Sequence, residues 1–189
     1  MSETFGAVAV DVVAAGLFDV EDGEAWQTLV LEPDLCEDGD LATVLRALAP
    51  TPGAVDVVFV DRMQCLVRGA TLVDGFAGLA AAIPGDVLTE GGPHGGVAVA
   101  LGVVGDDAAA AAHTVAHELG HLLGLFHTME LVSGTDPPIY DVISDTPDQP
   151  SFTDNLMSAA PQASSSLTDG QAFVLAINPW LAAGDDQGP

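Results

Sequence analysis

His117-Glu118-Leu119-Gly120-His121-Leu122-Leu123-Gly124-Leu125-Phe126-His127 is the stretch on which the reading of this chain turns. It is preceded by Asp106, Asp107 and an alanine-rich run, a composition that predicts a helix over Ala108–Gly124 with acids at its positive end. On that helix His117 and His121 are four residues apart, so both rings share one face about one turn (~5.4 Å) apart. Two ring nitrogens at that spacing can reach a single zinc ion at ~2.0–2.1 Å each. Glu118 is rotated by ~100° from His117, which places it badly as a third ligand. It is well placed to take a proton from a water activated by the metal. If the helix ran on straight, His127 would sit ~15 Å further along the axis than His117, too far to share the ion. The chain must therefore turn sharply after His121. Gly124 stands where the turn is needed, and glycine adopts the left-handed conformation without steric cost.

Three neutral histidines leave a fourth position for water, the arrangement of a catalytic zinc site. The expected ligands are thus His117, His121 and His127, with Glu118 as general base. Two histidines four apart on a helix are more often an exposed face or a satisfied core pair. Here Gly124 and His127 fall at the required spacing in a chain with only five histidines, which favours metal. His113, one turn earlier, is expected to line the same face without binding the ion.

Working outward, Val97–Val104 reads as a buried strand, and so does the valine-rich run from Phe5 to Ala15. Val55–Met63 reads as a strand with Val57, Phe59 and Asp61 on one face and Val58, Val60 and Arg62 on the other. Asp40–Leu48 reads as a short helix with Asp40 as its cap, because Leu41, Val44, Leu45 and Leu48 recur at helical spacing. Pro50 and Pro52 end it. Residues 91–96 are a glycine-rich loop carrying His94. From His127 to about Ser166 no periodicity is sustained, and five prolines punctuate the segment. A structureless stretch longer than ~15 residues is uncommon in a compact domain unless function or a ligand holds it. Ser166–Ile177 reads as a last helix with Thr168 as its cap, followed by a frayed tail, Gly184–Pro189. The expected fold class is α/β (α+β): one domain over residues 1–189, with an upper subdomain 1–124 and a lower subdomain 125–189.

Composition limits the partners. The chain has 189 residues, long enough to bury a core, and 28 acidic residues against 3 basic ones give a formal net charge of −25. Such a surface repels phosphate, so nucleic acid and anionic membrane are not expected as partners. The apolar runs Ala7–Phe18 and Val97–Ala116 are interrupted by charged residues, which suits a core better than lipid. Met1-Ser2-Glu3-Thr4 has no positive charge, so no secretion signal is visible. Cys36 and Cys65 allow one disulfide and are too few for a zinc finger; the sequence leaves their pairing open. Trp26 and Trp180 are read as packing residues.

The extended motif His-Glu-x-x-His-x-x-Gly-x-x-His resembles that of the metzincin metallopeptidases. Met157, in Asp154-Asn155-Leu156-Met157, matches the methionine of the turn that underlies the metal in that family. A closer likeness lies in Asp141-Val142-Ile143-Ser144-Asp145-Thr146-Pro147, which resembles the Asp-x-x-x-Asp-Thr-Pro stretch of the pappalysin-like (cytophagalysin and ulilysin) group. The order of segments is also theirs, ending in Leu167-Thr168-Asp169-Gly170-Gln171.

The resemblance covers about Val97 to Ile177. It implies a metzincin-like twisted mixed sheet with a backing helix, an active-site helix and an irregular lower part closed by a helix. It implies a zinc-dependent endopeptidase acting on peptide or protein substrates laid along a sheet edge, in a secreted or cell-surface protein. It also implies calcium, with Asp141 and the backbone carbonyl of Thr146 as ligands; hard oxygen donors in a long loop suit that ion. The group's tyrosine two residues after the methionine is replaced here by Ala159, and the only tyrosine is Tyr140. The cysteines of that loop region are missing too. The alternative functional class is a catalytically silent zinc-binding module on the same fold. A merely acidic cation-binding surface would leave the histidine spacing unexplained.

Overall fold

The structure, a computed structural model, describes residues 27–31, 39–48, 54–67, 71–85, 95–130, 137–148, 154–159 and 164–182. The strand expected over residues 5–15, Trp26, Cys36, the loop 91–94 with His94 and the tail 184–189 lie outside them. The described chain is mixed α/β. In order it forms β1 (Thr28–Leu31), α1 (Gly39–Ala47), β2 (Asp56–Val60), β3 (Arg62–Val67), β4 (Thr71–Asp74), β5 (Gly78–Ala80) and β6 (Gly96–Ala100). There follow α2 (Leu101–Val104), α3 (Ala108–Leu122), β7 (Met129–Glu130), β8 (Ile139–Tyr140), α4 (Asp169–Ala176) and α5 (Pro179–Ala182).

Two small mixed sheets carry the first part. One has the order β1-β3-β4, with β1 parallel and β4 antiparallel to β3. The other has the order β2-β6-β5, with β2 parallel and β5 antiparallel to β6. The strand expected over Val55–Met63 is therefore two strands in two sheets. The break is at Asp61, where the N–H groups of Asp61 and Arg62 both donate to Gln27 O and Asp61 O accepts from Gly102 N–H. The chain changes neighbours there, from β6 to β1. The face alternation holds up to the break: Val58 and Val60 are buried in one core while Val57 packs on the other.

β6 shows the period of two most cleanly. Val97 and Val99 point into a core with α3, and Ala98 and Ala100 into a core with α1. Both faces are covered, which explains why the run is continuously apolar. The strand stops at Ala100, four residues before the expected Val104, because β2 ends opposite it. With no further ladder to join, the backbone closes a helical turn, Gly105 N–H to Leu101 O. Short apolar runs do not distinguish strand from helix, and here the partner decided.

α1 buries Leu41, Ala42, Val44 and Leu45. Asp40 was expected as its cap; instead it lies in the first turn and its carboxylate accepts from Val30 N–H at 2.8 Å, tying the helix to β1. Cys65 is buried and disulfide-bonded, in a chain with one other cysteine. Among the described residues no helix is long and apolar enough to cross a membrane.

The last part is held by polar pins rather than by repetitive structure. Thr168 caps α4 as expected, in a capping box: its hydroxyl accepts from Gln171 N–H and the Gln171 side chain accepts from Thr168 N–H. The helix is shorter than expected at both ends, Asp169–Ala176. Gln171 is fully buried and exchanges two amide hydrogen bonds with Asn155, at 2.8 and 3.1 Å. Asn155 Oδ1 in turn accepts from Met157 N–H. At the far end, Asn178 Nδ2 donates to Leu123 O, one of the carbonyls left free where α3 stops.

Candidate metal centre

α3 starts where its residues can start it. Asp107 is the cap, and its carboxylate accepts from Ala109 and Ala110 N–H. The helix stops at Leu122, two residues before the expected end, through a Schellman motif. Gly124 has φ of 104°, its N–H donates to His121 O, and Leu125 N–H donates to Gly120 O. That left-handed residue reverses the chain and returns His127 to the helix face that carries His117 and His121.

The three rings meet. His127 Nε2 lies 3.0 Å from His117 Nε2 and 3.1 Å from His121 Nε2. Nitrogens bound at ~2.0–2.1 Å to one tetrahedral ion stand ~3.3 Å apart, so these two separations are within a few tenths of an ångström of that value, and all three ligand atoms lie within 4.8 Å of one another. Among the described residues this is the one group of histidine, cysteine and carboxylate side chains close enough to hold a metal ion.

The other nitrogen of each ring shows why a cation belongs there. His117 Nδ1 is 2.6 Å from Leu156 O, His121 Nδ1 is 2.7 Å from Leu125 O, and His127 Nδ1 contacts Glu130 Oε1. Carbonyl and carboxylate oxygens only accept, so each Nδ1 carries the proton. In the neutral rings each Nε2 then presents a lone pair, and that of His127 faces those of His117 and His121 at 3.0 and 3.1 Å. That is repulsive on its own and favourable around a positive ion. Burial disfavours the alternative of protonating the rings. Burial first, then the neighbouring imidazoles, pushes His117 down to about 4 and His121 down to about 3, so both are neutral near pH 7.

Glu118 is buried and is not part of the converging group. Its carboxyl lies against Gly78, where any side chain would collide with it, and accepts from Ala80 N–H. Ala81 N–H and Ala77 O bond to β6, so alternation turns Ala80 N–H to the side of β5 away from β6, which pairs with no strand among the described residues. Glu118 therefore sits at the side of β5 on which no described strand pairs. Burial raises its pKa to about 8 against the opposing effect of Ala80 N–H. A positive charge nearby acts in the opposite sense to burial and favours the carboxylate.

Met157 lies fully buried beneath α3, against Gly120, between the turns that carry His117 and His121. Its carbonyl accepts from Thr128 N–H, next to His127. Asp141 and Thr146 are brought together: the Thr146 hydroxyl contacts Asp141 Oδ1, which also accepts from Ile143 N–H at 3.0 Å. Asp141 Oδ2 is buried without a hydrogen-bond partner among the described residues. Asp141 also lines a depression together with Ser144, Thr146 and Asp148. His113 is half-buried and stands outside the trio.

Sequence reasoning missed four partners of the site. Glu130 was legible only as an acid three residues after His127. Leu156 O, Leu125 O and Ala80 N–H are main-chain groups, for which a sequence has no signal. No protein-family model, no curated protein and no solved structure matches this chain.

Proposed function

We propose that the chain is a zinc-dependent endopeptidase of the metzincin type, most like the pappalysin-like group. The observation that carries the reading is the convergence of three Nδ1-anchored histidines, with a buried glutamate on the same helix against the β5 side that no described strand pairs. Two backbone carbonyls and one carboxylate select the tautomer that a metal needs. The donor set, three imidazoles, suits zinc.

His117, His121 and His127 would hold zinc, which when bound would supply Lewis acidity at the scissile carbonyl and lower the pKa of water toward neutrality. Glu118 accepts the proton of the attacking water and passes it to the leaving amine. Ala80 N–H orients the carboxylate for both transfers. The open side of β5 offers main-chain groups to a peptide laid along it as an extra strand. Met157 supports the helix turns between the first two ligands. Calcium at Asp141 fits the buried, unpartnered Oδ2, an atom that a hard cation satisfies. The thiol chemistry of Cys65, locked in a disulfide, accords with a secreted or cell-surface location.

The test compares zinc content and turnover on the same proteins. His121→Ala is expected to lose most bound zinc. Glu118→Gln keeps size and hydrogen bonding but removes the base. It is expected to hold one zinc per chain and to cleave a denatured protein pool at least ~10²-fold more slowly. A parent protein with no zinc after loading overturns the metal reading. Bound zinc without cleavage, in the parent as in the variant, favours a silent binding module.

A further inference from the structure

We infer that Glu130 is the positioning residue that makes His127 a metal ligand: it selects the ring's tautomer and aims Nε2 at the nitrogens of His117 and His121. The inference rests on the zinc reading above and concerns the one ligand that the helix does not carry. His117 and His121 are fixed by α3, and their Nδ1 protons are held by main-chain carbonyls, Leu156 O and Leu125 O. His127 has neither support. Its Nδ1 partner is a side chain, the Glu130 carboxylate.

The chemistry follows from what a carboxylate can do. It accepts only, so the ring must place its proton on Nδ1 and leave the Nε2 lone pair facing the other two rings. The opposite tautomer would put an N–H into the centre of the trio and exclude a cation. A negative partner on Nδ1–H also makes Nε2 a stronger donor to metal.

The backbone holds Glu130 where this works. Glu130 pairs with Ile139 and Met129 with Tyr140 in the β7–β8 ladder. Thr128, between ligand and acid, is pinned on both sides: its N–H donates to Met157 O, and its carbonyl accepts from Asp141 N–H at 3.4 Å. Core packing does not account for the contact, since the Glu130 side chain is 54% exposed. An exposed side-chain contact three residues apart stabilises little by itself. Its consequence lies in the ring it orients.

The experiment measures zinc affinity by competition with a chromogenic chelator for the parent, Glu130→Ala and Glu130→Gln. It adds the histidine tautomers of the zinc-free proteins from long-range nitrogen–proton NMR correlations. Glu130→Ala is expected to weaken zinc binding by about 10–100-fold. It is also expected to release His127 from the Nδ1–H tautomer, with the metal-free melting temperature nearly unchanged. Glu130→Gln keeps an acceptor for Nδ1–H without the charge and is expected to fall between the two, with the tautomer retained. That isosteric variant decides the matter should Ala disturb the loop. Zinc affinity equal to the parent's in Glu130→Ala, or an unchanged His127 tautomer, overturns the inference. A parent that binds no zinc but still shows the Nδ1–H tautomer, lost in Glu130→Ala, overturns the zinc reading and leaves the positioning of the ring by Glu130 standing.

Discussion

A Cβ on Gly120 would stand 2.6 Å from Met157 Sδ, so α3 rests its bare backbone on the thioether. The two residues lie 37 positions apart in a chain where Met157 is completely buried. The contact sets the depth at which His117 and His121 are presented, and the same turn supplies Leu156 O to the His117 ring.

That packing predicts an inversion of the ordinary glycine rule. Gly→Ala inside a helix usually stabilises by roughly 0.5–1 kcal/mol. Here Gly120→Ala is expected to destabilise by about 1–3 kcal/mol through overpacking. With Met157→Ala in the background the space is open, and Gly120→Ala is expected to be neutral or stabilising. Denaturant titration of the four proteins reads the coupling; additive effects would mean that the two side-chain positions do not touch in solution.

The unpartnered Asp141 Oδ2 predicts a calcium effect that magnesium does not reproduce. Calcium is expected to raise the melting temperature at matched ionic strength, by the mass-action gain of ~2.7 kcal/mol at a concentration 100-fold above Kd. Asp141→Asn should abolish the difference between the two ions. Identical shifts with both ions in the parent would reduce the effect to charge screening.

Asp145 predicts a pH dependence. Its carboxylate accepts from Gly170 N–H at 2.8 Å and from the Thr168 hydroxyl at 2.9 Å, at the start of α4. The Gly170 bond first, then the Thr168 hydroxyl and nearby main-chain N–H groups, hold the carboxyl below its ordinary value. A carboxyl with a depressed folded pKa contributes stability above its unfolded pKa of ~3.9, and that contribution is lost as pH falls through the folded value. Asp145→Ala should therefore be less stable than the parent at neutral pH, with the gap closing under acid. A gap that stays constant down through pH ~2 would show that the charge plays no part.

The charge balance predicts a response to salt. Three basic residues cannot pair 28 acids, so self-repulsion dominates the surface. Raising salt from about 0.1 to about 1 M shortens the Debye length from ~10 to ~3 Å. The melting temperature should rise across that range, monotonically. A fall would mean that attractive ion pairs outweigh the repulsion.

The sequence by itself determined whatever depends on residues close along the chain. His117, His121 and Glu118 are ordered by the helical repeat, the turn at Gly124 by the conformational freedom of glycine, and the start of α4 by the reciprocal bonds of Thr168 and Gln171. Each is a rule of a few residues' range, and each is legible in the spacing. Tertiary structure alone decided which strands pair, why the Val55–Met63 run breaks at Asp61, and why β6 ends at Ala100. Ladder partners come from distant segments, and an apolar run does not name its neighbour. The same holds for what aims the rings. Leu156 O, Leu125 O and Ala80 N–H are main-chain groups present at every residue. Their identity as partners of His117, His121 and Glu118 arises only when folding brings the segments together, because a backbone hydrogen bond requires position and imposes no side chain.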